Sequence, residues 1–167
     1  MRHPATILII LTIFFLGGCG QSALLMLDKD EKYNTILART HKKQLTDNAT
    51  TLGLFRATYL NPLYPDEYRG KEYFFIGLYL QDDFKQDKGG LNNPHYSIRM
   101  NGQGYAEAMK LEKSDPLYKQ MPLTERWIRY YLVSFEDNTS TARLNLTLKK
   151  DSGESLSFSF ARFREEP

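Results

Sequence analysis

Two stretches, Thr51–Leu60 (TLGLFRATYL) and Glu72–Leu80 (EYFFIGLYL), limit the fold more than any other part of the chain. In the first, Gly53, Phe55, Ala57 and Tyr59 alternate with Leu52, Leu54, Thr58 and Leu60, and the second is likewise apolar on both parities. Successive strand residues point to opposite faces, so a strand that is apolar on both must be covered on both. The pair predicts two central strands of a layered β structure, joined by a loop that Asn61-Pro62 and Pro65-Asp66 break open.

Asp28–Leu45 is ambiguous. Asp28 and Glu31 resemble a capping pair, and Tyr33, Ile36, Leu37, His41 and Leu45 follow helical spacing, while Tyr33, Thr35 and Leu37 also alternate. A short N-terminal helix is favoured there. Asp47–Thr50 is a turn, and Gln81–Asn93 is polar, with Gly89-Gly90 and Asn92-Asn93-Pro94 against regular structure. His95–Met100 alternates, and Asn101-Gly102-Gln103-Gly104 reverses the chain as a hairpin turn, with Tyr105–Leu111 as the returning strand or a helical turn. After a loop over Glu112–Glu125, Arg126–Phe135 places Trp127, Tyr131, Val133 and Phe135 on one side and Ile128, Tyr130 and Leu132 on the other. Asp137–Ser140 turns the chain, and Ala142–Leu148 and Leu156–Phe160 then alternate around Asp151-Ser152-Gly153 as a hairpin. These make about seven strands with no strand–helix alternation. The expected fold is all-β, an antiparallel immunoglobulin-like β-sandwich, with a small closed barrel as the alternative.

The amino terminus sets the location. Arg2 precedes an uncharged run from Ala5 to Leu16, and Leu16-Gly17-Gly18-Cys19 closes it. The run is too short for a spanning helix of ~20 residues, and it lacks the small-x-small site of an ordinary secretory signal. It resembles a bacterial lipoprotein signal, which implies cleavage before Cys19, lipid on that cysteine, and an oxidising envelope compartment. Residues 1–18 are then a removed signal, 19–28 a lipidated tether and 29–167 a single domain. Two or three acyl chains give lasting attachment where one holds weakly. Gly20 after the cysteine, in place of the Asp that retains enterobacterial lipoproteins at the inner membrane, implies the outer membrane facing the periplasm. The cell surface is the alternative.

Cys19 is the only cysteine, so stability must come from packing without an intrachain disulfide. The net charge of +2 gives no argument for a nucleic-acid partner. Only His41 and His95 follow the signal, no Gly-x-Ser-x-Gly elbow is present, and both histidines read as surface residues, so neither a triad nor a metal site is expected. Asp82-Asp83-Phe84-Lys85-Gln86-Asp87 fails the calcium-loop pattern, since Lys88 stands where Gly is needed, and reads as a solvated loop. Glu72, Glu107, Glu112 and Glu125 cannot be paired from sequence, Gly102-Gln103-Gly104 reads as a turn, and the sequons at Asn48, Asn138 and Asn145 mark exposed positions. The remaining unusual feature is aromatic. Tyr59, Tyr64, Tyr68, Tyr73 and Tyr79 flank one loop, and Tyr64 and Tyr68, inside it, are the expected exposed binding residues. Sequence thus predicts a non-enzymatic, cofactor-free envelope lipoprotein that binds another envelope protein or supports assembly of an envelope complex. The alternatives are a small-ligand or glycan binder and a hydrolase inhibitor.

Overall fold

The computed structural model describes residues 31–85, 89–136 and 141–164. The signal, Cys19 and the tether lie outside the described residues, as do Gln86–Lys88 and the Asp137–Ser140 turn with its Asn138 sequon. No helix among the described residues is long and apolar enough to cross a membrane. The chain divides into Met1–Thr35 and Ile36–Pro167, and everything below concerns the second unit except the start of helix α1 (31–38).

Among the described residues, nine strands form two antiparallel sheets. The five-stranded sheet has the order β1 (Thr40–Asp47), β2 (Thr50–Tyr59), β3 (Lys71–Leu80), β7 (Arg129–Glu136), β6 (Glu107–Leu111). The four-stranded sheet has the order β5 (Gln103–Gly104), β4 (Tyr96–Met100), β8 (Arg143–Lys150), β9 (Ser155–Ala161). Helix α2 (Pro116–Gln120) lies between β6 and β7 in the chain. The arrangement is the expected all-β sandwich, not a closed barrel.

One parity of each strand builds the core between the sheets. Phe55, Ala57 and Tyr59 of β2, Phe74, Ile76 and Leu78 of β3, and Tyr131, Val133 and Phe135 of β7 meet Ile98, Met100, Leu144, Leu146, Leu148, Phe158 and Phe160. The layers interlock through rings: Phe55 stacks on Phe158 at 5.2 Å and Phe74 meets Phe160 edge-on at 5.3 Å. The other parity of β2, β3 and β7 faces a second, smaller core, where Leu54, Phe75 and Tyr130 are covered by Ile36, Leu60, Tyr68, Met121 and Ile128. Coverage on both sides explains why these strands are apolar throughout.

Three boundaries differ from the sequence reading. The segment read as one helix is helical only over 31–38; Arg39 N–H and the Thr40 hydroxyl both bond the Ile36 carbonyl, and β1 begins at once. His41 and Leu45 are four apart, a spacing that serves either period. Asn101-Gly102 does turn the chain, with φ of 48° and 86° that only a mirror-image turn uses, but β5 ends after two residues. The chain then crosses to the other sheet, where β6 pairs with the edge of β7 and Leu111 lies beside Tyr130. Finally, Ile128 N–H bonds the Glu125 carbonyl in a turn, so β7 starts at Arg129 and Trp127 precedes it.

Two buried carboxylates tie the layers together. Glu72 on β3 accepts from the Tyr59 hydroxyl at 2.5 Å and from Arg162 Nε at 2.8 Å, and thereby fastens the segment after β9 to the five-stranded sheet. Asp83 accepts from Gly90 N–H at 2.7 Å, from Asn93 Nδ2 at 3.0 Å and from Arg129. Its neighbour Asp82 faces Tyr96 and Lys150 of the other sheet. The expected solvated loop is therefore corrected at Asp83, which is a buried clasp. A Cβ on Gly90, at φ 69°, would collide with the Tyr131 hydroxyl, so the clasp requires glycine there.

These packed tyrosines predict an alkaline limit. Burial, then Glu72, raises the Tyr59 pKa; burial, then Asp82, pushes Tyr96 up to about 12; Tyr68, Tyr130 and Tyr131 also rise through burial first. Each folded value lies above the ordinary ~10, so the stabilisation is complete below pH ~10 and is lost as pH climbs through the folded values. Absorbance titration should show part of the tyrosinate signal forming only late and together with unfolding; ionisation of all eleven tyrosines ahead of unfolding would contradict it.

Candidate functional site

The outer face of the five-stranded sheet is organised by one transverse row. Register aligns Arg56 of β2, Gly77 of β3 and Tyr130 of β7 across neighbouring strands. Gly77 has no side chain, and a Cβ there would lie 2.7 Å from Tyr130 Cε1, so the tyrosine ring lies across the glycine. Arg56, only 1% exposed, donates to the Leu123 carbonyl and, at 3.1 Å, to Glu125 Oε1. The Tyr130 hydroxyl accepts Glu125 N–H at 2.9 Å.

Residues 121–128 therefore hang on polar anchors that point inward. That leaves apolar side chains pointing out: Leu123, held at φ 57°, is 51% exposed and Trp127 is 50% exposed, its ring edge-on to Tyr79 at 5.1 Å. At the opposite end of β3 and β7, against β6, lies a groove of about 460 Å³ lined by Tyr73, Glu107, Ala108, Met109, Leu132 and Ser134. Met109 is 54% exposed, and at the groove Ser134, itself buried, has a hydroxyl without a hydrogen-bond partner. Lys71 bridges Glu107 and Glu136 at 3.1 and 3.3 Å along one rim.

The outer face of the other sheet is different in kind. Arg99, Arg143, Asn145, Ser155 and Ser157 are exposed and form a polar ladder, with Thr147 to Ser157 at 2.7 Å and Arg143 to Ser159 at 2.9 Å. A polar face over an apolar core needs no cover, whereas the first face carries exposed large apolar groups that water disfavours.

The residues singled out from sequence fall as follows. Tyr68 is buried, which corrects the expectation of exposure, and Tyr64 is half-buried with its hydroxyl on Gln120 at 3.1 Å. Tyr68 packs on Tyr73 at 4.9 Å and on Tyr64 edge-on, because the Pro-containing loop folds back over Phe75 instead of extending into solvent. His41 is not a plain surface residue: it lies 4.6 Å from the Phe160 ring, and burial, then Lys43, lowers its pKa. His95 is exposed, beside Asp151 at 3.3 Å. The four glutamates each face a cation: Glu72 Arg162, Glu107 Lys71, Glu112 Lys110, and Glu125 both Arg56 and Lys42. Among the described residues no group of three or more His, Cys, Asp or Glu is placed to hold a metal ion.

Sequence reasoning missed Arg56, Leu123 and Met109. A single arginine inside a strand apolar on both sides was the available signal for the first. Comparison with family models, with curated proteins and with solved structures returned no match to this chain.

Proposed function

We propose that this chain is an envelope lipoprotein, held to the membrane by lipid on Cys19, that binds another envelope protein through the outer face of its five-stranded sheet. The observation that carries the reading is the asymmetry of the two outer faces. One is a polar ladder; the other exposes Leu123, Trp127 and Met109 on a rigidly anchored loop and an edge strand. Aromatic and methionine side chains on a pre-ordered surface are the usual anchors of protein interfaces. Leu16-Gly17-Gly18-Cys19 supports the anchor, and Gly20 supports the outer membrane.

The test has two arms. Labelled fatty acid should enter the protein and be lost in Cys19→Ala, and purification from crosslinked envelopes should recover one defined protein that a Leu123→Ser, Trp127→Ser variant recovers poorly. An unlabelled parent chain sinks the anchor. Equal recovery by the variant sinks the face.

A ligand-binding reading has one observation in its favour, the buried, unpartnered Ser134 hydroxyl at the groove. It competes for the same surface, and it predicts a small molecule retained through purification.

A further inference from the structure

We propose that β6 pairs with β6 of a second copy of this chain, antiparallel about a two-fold axis at Met109, joining the two five-stranded sheets into one. β6 is the end strand of its sheet and pairs only with β7 among the strands. Its residues Glu107 to Lys110 are all exposed. The opposite end strand, β1, has a register irregularity at Leu45/Thr46 and exposed Lys42 and Lys43, devices that discourage strand addition. β6 has no such irregularity and carries at its centre the most exposed of the large apolar side chains, Met109.

Charge argues for a second copy as the occupant. An antiparallel pairing about Met109 sets Glu107 opposite Leu111 and Ala108 opposite Lys110, so the two Lys110 side chains do not face each other. The surroundings of Leu111 are basic: a hollow of about 180 Å³ there is lined by Lys110, Lys113, Arg126 and Arg129 with one acid, Glu112. Among the described residues, Lys113 and Arg126 make no ion pair with a carboxylate. The exposed Glu107 of one copy thus arrives at the unpaired cations of the other, twice by symmetry. The two Met109 side chains meet on the axis and shield each other from water. A foreign strand would need this same acid-apolar order, which β6 already supplies. The pairing uses the backbone edge of β6 together with Met109, which also borders the proposed partner face, so it is tested on the purified chain alone, without the envelope partner.

Ala108 gives a test that structural damage cannot imitate, because it is exposed and faces Lys110 of the second copy twice. Sedimentation equilibrium on the full chain carrying Cys19→Ser should show monomer–dimer association, tightened by Ala108→Glu and weakened by Ala108→Lys, each by roughly two- to thirtyfold for two cross-strand charge pairs. In the same background, Met109→Cys should form a disulfide-linked dimer under mild oxidation and Asn145→Cys should not. Monomer at every concentration, equal responses to the two Ala108 changes, or equal trapping at 109 and 145 would overturn the proposal. Monomer that nonetheless binds an unrelated extended peptide at β6 would assign the edge to a different protein.

Discussion

Replacing Arg162 with methionine should lower the unfolding free energy by about 3–5 kcal/mol, the cost of leaving a buried charge without its partner. The Glu72 side chain is 4% exposed, and the Arg162 guanidinium lies against it at 2.8 Å. Tyr59 would still donate to the carboxylate, but a neutral donor offsets little of a buried charge. Because Arg162 follows β9, the loss should also free the end of the chain from the five-stranded sheet. Adding Glu72→Gln to Arg162→Met should restore much of the stability, since no unpaired charge then remains. Urea unfolding decides it: a single-variant loss within the ~0–1 kcal/mol of a surface pair would show that this clasp does not hold the layers.

Arg56→Met should cost about 2–4 kcal/mol: two hydrogen bonds made by a charged donor are worth about 3–6 kcal/mol net, and methionine recovers part of that by removing the buried Nε, which has no hydrogen-bond partner. The residue is 1% exposed, and its guanidinium holds both the Leu123 carbonyl and Glu125. Methionine fills comparable space and offers no donor. Glu125 keeps Lys42 and partial exposure, so the residual charge is less costly than at Glu72. The informative readout is Trp127, the single tryptophan in the chain, whose emission reports directly on the loop that Arg56 anchors. The variant should shift that emission before global unfolding begins, while Lys42→Met should leave it unchanged. An undisturbed Trp127 signal would mean that the loop is positioned by packing alone.

How far the sequence revealed this molecule depends on how local each signal is. Period-two alternation in Ala142–Leu148 and Leu156–Phe160 needs only neighbours, and the hairpin of β8 and β9 follows from it. The double apolarity of Thr51–Leu60 and Glu72–Leu80 likewise announces central strands, because it reflects burial on two sides. What failed were choices made by distant partners. The fate of Tyr105–Leu111 is decided by the free edge of β7 and not by the Asn101-Gly102 turn before it. Tyr68 looked exposed because loops with proline usually are, yet Phe75 and Tyr73 give it a surface to cover. Asp83 looked solvated because its partner, Arg129, is forty-six residues away.

The same logic separates the parts of the candidate site. Trp127 was placed on the wrong element, since strand periodicity runs smoothly through Arg126–Phe135 and nothing local shows the turn at Glu125–Ile128. Its environment depends on Gly77, fifty residues earlier, whose missing side chain gives Tyr130 and Ile128 their room. A glycine in a strand opposite an arginine and a tyrosine is readable once the register is known, and register is a tertiary fact.

The central claim is that the outer face of the five-stranded sheet meets a partner and the polar ladder of the other sheet does not. Photo-crosslinking side chains placed one at a time at 109, 123 and 127, and at 145 and 157, in intact envelopes test it most directly. The account predicts adducts of one defined mass from the first three positions, with an additional adduct of twice the chain's own mass at 109, and none from the last two. Adducts arising from 145 and 157, with 123 and 127 silent, would contradict it.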